Sequence, residues 1–270
     1  MEIAPAHRAT PDGLMTFAPA PRTALVTGAA RRIGAAIARD LAANGFAVAL
    51  HYRASRDAAE ALAAELRATG ADAVALAADL ADVGALAGLV DRATAALGPI
   101  GLLVNNASEF EPDEIGALDT AATLHRLTVD LAAPVLLADA WVRRLPETSE
   151  GLIVNLIDQR VLKPTPRFFT YTLAKSALWT ATRTMAQALA PRIRVNAIGP
   201  GPSFANPHQS AAEFARQIAA LPLGRGPAPE EFGRTVRFLF ETPSATGQMI
   251  CLDGGQHLAW RTPDVVDVGE

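Results

Sequence analysis

The chain has 270 residues, of which half are apolar, 19% are charged and 6% are aromatic. This composition can build a buried core, and it excludes a disordered or fibrous protein. The formal net charge of −4 gives no electrostatic reason to bind nucleic acid or an anionic membrane. We therefore predict neither of these partners.

The N-terminus and the cysteine content bear on the compartment. The first 22 residues contain four prolines and no continuous apolar stretch, which is not typical of a secretory signal. No apolar run approaches the roughly 20 residues that span a bilayer. Cys251 is the single cysteine, so the fold needs no oxidising compartment. These features predict a cytoplasmic protein with a flexible tail over residues 1–21.

Apolar runs of strand length then alternate with helical patterns along the chain. The patterns predict strands at 23–27, 46–52, 72–78, 100–106, 151–157, 192–198 and 248–253. They predict helices at 32–44, 55–69, 82–97, 119–145, 171–190, 210–221 and 229–241. The strands are apolar throughout, which is typical of parallel strands that are buried on both faces.

This order predicts an α/β protein with a single doubly wound parallel sheet, the Rossmann fold. We expect about seven strands with helices on both faces, one domain over residues 22–260 and a C-terminal tail over 261–270. In such a sheet the ligand crevice lies beyond the carboxyl ends of the strands. The residues that follow each strand are therefore the candidates for a site.

The first strand is followed by TGAARRIG, residues 27–34. Gly28 allows a tight turn, and Gly34 allows the next helix to pack close to the sheet. The N-terminus of that helix can hold a pyrophosphate with its free N–H groups. Many dinucleotide folds have glycine at the middle position, but here Arg32 brings a positive charge towards the phosphates.

The second strand ends in His51, Tyr52 and Arg53. It lacks the carboxylate that would bind the ribose diol of NAD. Arg53 and Arg32, with Arg56 as a further candidate, suit a 2′-phosphate. We therefore predict NADP(H) as the cofactor rather than NAD(H).

Tyr171 and Lys175 lie four residues apart at the start of a predicted helix, so they share one face. A neighbouring ammonium favours the phenolate, and we expect Lys175 to lower the pKa of Tyr171. Tyr171 would then donate and accept protons near neutral pH. The histidines show no spacing that suggests a metal site, and we predict no metal.

The segments TGAARRIG, Asp79-Leu80, NNAS, YTLAK, RVNAIGPG and TGQMICLDGG occur in this order over about residues 22–258. Together they resemble the short-chain dehydrogenase/reductase family. The resemblance implies that Tyr171 is the catalytic acid and that Lys175 binds the nicotinamide ribose and depresses the pKa of Tyr171. The implied cofactor-binding residues are Gly28, Arg32, Ile33, Gly34, Tyr52, Arg53, Ser55, Asp79, Leu80, Asn106, Ala107, Ser108, Lys175, Pro200, Gly201 and Ser203.

Three departures from the family pattern occur together. Arg32 replaces the middle glycine, NNAS replaces NNAG, and Asp158 stands where the family usually has a serine. The chain is similar in this to the pteridine reductases and the bacterial dihydromonapterin/dihydrofolate reductases. That likeness implies that Phe110 stacks on a pterin and that Asp158 and Tyr171 contact it. Asp130 replaces the family's usual asparagine, which puts a water-mediated proton relay in doubt.

The resulting hypothesis is an NADPH-dependent reductase of a pterin, with Tyr171 as proton donor assisted by Asp158 and Lys175. Two alternatives stay open: a short-chain reductase of another carbonyl (a ketone or a 3-oxoacyl compound), and a catalytically inactive NADP-binding regulatory protein. The resemblance further implies a substrate lid over about residues 202–227. It also implies a homotetramer built across the predicted helices 119–145 and 171–190.

Overall fold

The structure is a computed structural model that describes residues 16–205 and 209–260. Its strands are β1 (Thr23–Val26), β2 (Ala47–Tyr52), β3 (Ala73–Ala77), β4 (Leu102–Asn105), β5 (Gly151–Leu156), β6 (Ile193–Pro200) and β7 (Met249–Leu252). All are parallel and form one sheet in the order β3-β2-β1-β4-β5-β6-β7. The predicted fold is confirmed, and the chain reverses its direction of travel across the sheet between β1 and β4.

Helices cover both faces of this sheet. They are α1 (Arg32–Ala43), α2 (Arg56–Ala68), α3 (Leu86–Leu97), α4 (Thr120–Leu127), α5 (Ala133–Val142), α6 (Phe169–Leu189), α7 (Ala211–Ala219) and α8 (Pro229–Glu241). On β1, Ala24 and Val26 belong to the core shared with α1, α2 and α8, whereas Leu25 belongs to the core shared with α3, α5 and α6. Alternate residues of a strand point to opposite faces, so β1 is buried on both sides.

The helix predicted over 119–145 is two helices, α4 and α5, joined by a π-helical turn at Thr128–Ala132. Pro134 has no N–H and cannot donate to the carbonyl of Asp130, as a regular helix would require. The N–H of Ala133 instead bonds to the carbonyl of Thr128, five residues back. This turn holds the side chain of Asp130 at zero exposure inside the protein.

By length and composition alone, one described stretch, Thr120–Val142, is apolar enough to cross a membrane, with a mean hydropathy of 1.2. The structure places this stretch within the fold. Leu137 and Trp141 are buried against α3 and the sheet, and the indole N–H of Trp141 donates to the carbonyl of Ile100 at 2.8 Å. Part of its apolar surface is therefore buried in the core.

The predicted tails lie mostly outside the described residues, which exclude 1–15 and 261–270. The described part of the N-terminal tail makes backbone hydrogen bonds to the rest of the protein. The N–H of Ala18 donates to the carbonyl of Thr148 at 2.7 Å, and the carbonyl of Ala18 accepts from Glu150 at 2.8 Å. These bonds tie the residues before β1 to the loop that leads into β5.

Candidate active site

A cleft of about 1250 Å³ opens at the carboxyl ends of the strands. This is where the reversal between β1 and β4 predicts a ligand crevice. It brings together the site residues that the sequence predicts, with the exception of the further candidate Arg56, and the roles of those residues stay predictions. They are Gly28, Arg32, Ile33, Gly34, Tyr52, Arg53, Ser55, Asp79, Leu80, Asn106, Ala107, Ser108, Phe110, Asp158, Tyr171, Lys175, Pro200, Gly201 and Ser203.

The turn between β1 and α1 has the shape of an anion cradle. Gly28 has a φ of +61°, and Arg32 has a φ of +53° although it is not glycine. A Cβ on Gly34 would lie 2.3 Å from the carbonyl oxygen of Gly28, so only glycine allows this approach of α1. No side chain caps the N-terminus of α1 and no acid lies in its first turn, so its N–H groups are available to a phosphate.

His51 supports this turn from β2. Its Nδ1 accepts a hydrogen bond from the N–H of Gly28 at 3.1 Å, and its Nε2 lies 3.1 Å from the carbonyl of Ala78. Burial lowers the pKa of His51 to about 4, so the ring is neutral. A neutral ring accepts at one nitrogen and donates at the other, as these contacts require. No pattern in the sequence indicates this role.

The arginines predicted for phosphates both have partners within the protein. Arg32 donates to the carbonyls of Phe204 and Ala205 at 3.4 and 3.3 Å. Arg53 forms an ion pair with Glu109, and its side chain is half exposed. Arg32 and Arg53 both line the cleft.

Tyr171 and Lys175 lie in the first turns of α6 and point into the cleft beside the end of β5. The hydroxyl of Tyr171 donates to Oδ2 of Asp158 at 3.1 Å, and Oδ1 of Asp158 accepts from the N–H of Arg160 at 2.7 Å. The ammonium of Lys175 donates to the carbonyl of Leu156 at 3.0 Å. It lies 5.7 Å from the centre of the Tyr171 ring.

The expectation that Lys175 lowers the pKa of Tyr171 is wrong for this structure. Burial, followed by the charges of Asp158 and Asp130, holds the pKa of Tyr171 well above its usual value. Burial likewise raises the pKa of Asp158 and lowers that of Lys175. Sequence spacing brings the three groups together but says nothing about their desolvation, which dominates here.

Aromatic rings form a wall of the cleft near Asp158. Phe110 stacks on Phe168 with centroids 4.0 Å apart and planes 10° apart, and meets Tyr171 edge-on at 4.8 Å. The guanidinium of Arg160 lies 5.3 and 5.1 Å from the centroids of Phe110 and Phe168. Sequence reasoning found Phe110 but missed Phe168 and Arg160. Phe168 has a φ of +56°, a conformation that phenylalanine rarely adopts and that no sequence pattern announces.

Asp130 lies behind this wall and is fully buried. Its Oδ1 accepts from the N–H of Glu109 at 2.9 Å, while its Oδ2 has no hydrogen-bond partner among the described residues. Burial raises the pKa of this carboxyl. Asp130 therefore holds the start of the Phe110 loop in place.

Comparison with known proteins identifies the family. The family model for short chain dehydrogenase matches residues 22–213. The chain belongs to the short-chain dehydrogenase family. This agrees with the resemblance predicted from the motifs.

The chain is similar to several reductases whose names give different substrates. The crystal structure of FolM alternative dihydrofolate reductase 1 from Brucella canis, complexed with NADP, superposes with a TM-score of 0.88 at 55% identity, covering 90% of this chain and 97% of that one. Pteridine reductase 1 from Leishmania tarentolae is 33% identical, covering 90% of this chain and 99% of its own. A 3-oxoacyl-[acyl-carrier-protein] reductase from Synechocystis is 32% identical, with coverages of 87% and 96%.

Asp158 predicts a pH-dependent stability for this short-chain dehydrogenase. Because its pKa is raised on folding, the folded state binds this proton more tightly than the unfolded chain does, and stability falls as the pH rises between the two pKa values. Asp158→Asn removes the cost of the buried charge. We expect its melting temperature at pH 8 to rise by about 2–4 °C, the response to about 1 kcal/mol at this chain length, and to change less at pH 4.

The matched control is Glu60→Gln, which neutralises an exposed acid on α2 and should leave the melting temperature unchanged at both pH values. Differential scanning calorimetry measures all three proteins. A lower melting temperature for Asp158→Asn at pH 8 would contradict the assigned cost of burial.

Proposed function

We propose that the protein is an NADPH-dependent reductase that transfers hydride to a pterin of the dihydropterin, dihydromonapterin or dihydrofolate type. The observation that carries this proposal is the 3.1 Å hydrogen bond from Tyr171 to Asp158 beside the ring of Phe110. A serine at the position of Asp158 suits a ketone oxygen. An aspartate instead suits a substrate that presents ring nitrogens and an amino group, since a carboxylate accepts hydrogen bonds from such donors.

The names of the relatives support this choice. The Brucella canis protein is an alternative dihydrofolate reductase in complex with NADP, and the Leishmania tarentolae relative is a pteridine reductase. The 3-oxoacyl reductase from Synechocystis is less similar than the Brucella protein, at 32% against 55% identity.

The residues of the cleft fit a dinucleotide with a 2′-phosphate. The uncapped N-terminus of α1 and the close approach at Gly34 suit the pyrophosphate. Arg53 and Ser55 would hold the 2′-phosphate, Asp79 and Leu80 the adenine, and Lys175 the nicotinamide ribose. The other predicted contacts are Arg32, Ile33, Tyr52, Asn106, Ala107, Ser108, Pro200, Gly201 and Ser203. When bound, the reduced nicotinamide supplies the hydride.

Proton delivery then falls to Tyr171 and Asp158. Reduction of a C=N bond needs a proton on nitrogen when hydride arrives on carbon. Tyr171 keeps its proton in the resting protein because burial, the largest cause, raises its pKa. Asp158, whose pKa is also raised, holds a second proton at lower cost than an exposed carboxyl. It can reprotonate Tyr171 through their hydrogen bond, so that a tyrosinate never stands beside a carboxylate.

Phe110 would give the substrate a planar surface. Phe168 stacks on one face of its ring and Tyr171 meets it at nearly a right angle, so a flat heterocycle would take the face opposite Phe168. Offset stacking on a planar ring contributes about 0.5–1.5 kcal/mol beyond the buried area. A pterin in that position lies within reach of both the hydroxyl of Tyr171 and the carboxylate of Asp158.

We further propose that the protein works in the cytoplasm as a homotetramer. Leu124, Leu136 and Leu173 lie on α4, α5 and α6 and are 61%, 42% and 50% exposed. These are the helices through which the family resemblance predicts assembly, and exposed leucines on neighbouring helices favour a covered interface. The absence of any possible internal disulfide agrees with a reducing compartment.

The assembly has a direct test. Leu136→Asp should reduce the tetramer to smaller species in light scattering coupled to size exclusion, because it places a charge in the apolar contact. Leu223→Asp, on an exposed leucine outside these helices, is the matched control and should leave the mass unchanged. A monomeric unaltered protein would refute the proposed tetramer.

The catalytic assignment is tested by activity. The protein is incubated with NADPH and, in turn, dihydrobiopterin, dihydromonapterin, dihydrofolate and simple ketones, and the absorbance of the reduced cofactor is followed. We expect turnover with a pterin. Tyr171→Phe should lower kcat by about 10²–10⁴-fold, the usual contribution of a positioned proton donor, while calorimetry still detects NADPH binding.

Other results would point to the alternatives. Ketone turnover without pterin turnover would favour a carbonyl reductase and sink the pterin assignment. NADPH binding without turnover of any substrate would favour a regulatory binding protein. Full activity of Tyr171→Phe would refute the assigned acid.

Cofactor choice is tested at Arg53. Arg53→Ala should weaken NADPH binding by about tenfold, or about 1.4 kcal/mol, because a charge-assisted hydrogen bond to phosphate is lost. NADH binding should change by less than about twofold, since NADH carries no 2′-phosphate. Equal losses for the two cofactors would remove the argument for phosphate recognition.

A further inference from the structure

An ion pair crosses the cleft near the proposed 2′-phosphate position. Arg53 directly follows Tyr52, the last residue of β2, and Glu109 lies four residues after Asn105, the last residue of β4. These strands are separated in the sheet by β1. Their ends are therefore about 10 Å apart, twice the strand spacing. The two side chains close this gap, and both line the cleft.

Glu109 is the better anchored member of the pair. Its side chain is 22% exposed, against 54% for Arg53. It also receives the ring of His125, whose Nε2 lies 3.1 Å from Oε2, and its N–H donates to the buried Asp130 at 2.9 Å. Arg53 is thus the more exposed partner, and Glu109 is the one with further contacts to the protein.

The acid carries a full negative charge at neutral pH. Partial burial tends to raise the pKa of Glu109, but hydrogen bonds from Arg53 and His125 keep it below its usual value. A phosphate that binds Arg53 must therefore either displace this carboxylate from the guanidinium or sit beside it. Both arrangements cost free energy, because like charges a few ångströms apart repel and because the ion pair must be broken.

We propose that Glu109 is an internal competitor of the cofactor's 2′-phosphate for Arg53, and that it sets how strongly the protein prefers the phosphorylated cofactor. The inference rests on the proposed function, in which Arg53 binds that phosphate. A cofactor without the 2′-phosphate does not compete for Arg53 and leaves the ion pair intact. Glu109 thus reduces the difference in affinity between NADP(H) and NAD(H). By weakening the binding of the phosphorylated cofactor, it also allows that cofactor to dissociate between turnovers.

The test is the isosteric variant Glu109→Gln, with NADP⁺ and NAD⁺ binding measured by calorimetry. We expect NADP⁺ to bind about fivefold more tightly, a gain of about 1 kcal/mol. NAD⁺ binding should change by less than about twofold. An unchanged or weakened affinity for NADP⁺ would overturn the proposal, since it would make Glu109 a support for Arg53 rather than a competitor.

Two further variants separate competition from a general charge effect. Glu111→Gln removes the same charge two residues along the loop and should change NADP⁺ affinity by less than about twofold. In an Arg53→Ala background, Glu109→Gln should lose its effect. Two results would refute the competition and indicate through-space repulsion instead. One is an increase in NADP⁺ affinity for Glu111→Gln that equals the increase for Glu109→Gln. The other is an increase for Glu109→Gln that persists in the Arg53→Ala background.

Folding and the cofactor assignment are checked alongside. Glu109→Ser serves as a second variant, and melting temperatures confirm that each protein is folded at the assay temperature. If the unaltered protein binds NAD⁺ but no NADP⁺, the cofactor assignment fails and the inference fails with it. If NADP⁺ binds and Glu109→Gln gives no gain, only the inference fails.

Discussion

Thr27 directly follows β1, and its hydroxyl links this strand to β4. Between these two neighbouring strands the chain reverses its direction of travel across the sheet. The hydroxyl accepts the N–H groups of Asn106 and Ala107 at 2.9 and 3.0 Å and donates to the carbonyl of Val104. The side-chain amide of Asn106 returns a bond to the carbonyl of Thr27 at 2.8 Å. Because these bonds fix the turn after β1 against the loop after β4, the cleft keeps its width, and both the anion cradle and the Phe110 loop keep their positions.

The rear of the cleft concentrates features that oppose folding. Tyr171 and Lys175 are buried and Asp158 is partly buried, and all three have shifted pKa values. Phe168 has an unfavourable backbone conformation. Such unfavourable conformations and charges persist only where the rest of the structure is stable enough to enforce them. Here the surroundings are strands with no exposed apolar residues in β1, β4 and β5. The burial of the strands on both faces of the sheet thus offsets the destabilisation that the buried ionisable groups of the site cause.

Most of the fold and the membership of the site follow from the sequence, for identifiable reasons. Strands that are buried on both faces are apolar throughout, so they can be recognised in the sequence. The site residues follow the ends of these strands within a few positions, so they can be located once the strands are known. What the sequence could not give depends on tertiary surroundings. The pKa of Tyr171 is governed by burial rather than by its neighbour Lys175, the break before α5 arises from one missing N–H at Pro134, and the left-handed backbone of Phe168 has no composition signal.

The helix α7 has no buried residue, yet Gln209, Glu213 and Gln217 from this segment line the cleft. Its start is fixed by its own capping box between Ser210 and Glu213 rather than by the core. Substitutions there alter the wall of the cleft without opening a cavity in the protein. This part of the chain is therefore free to diverge in evolution, and new substrate ranges can arise on an unchanged scaffold without a penalty in folding.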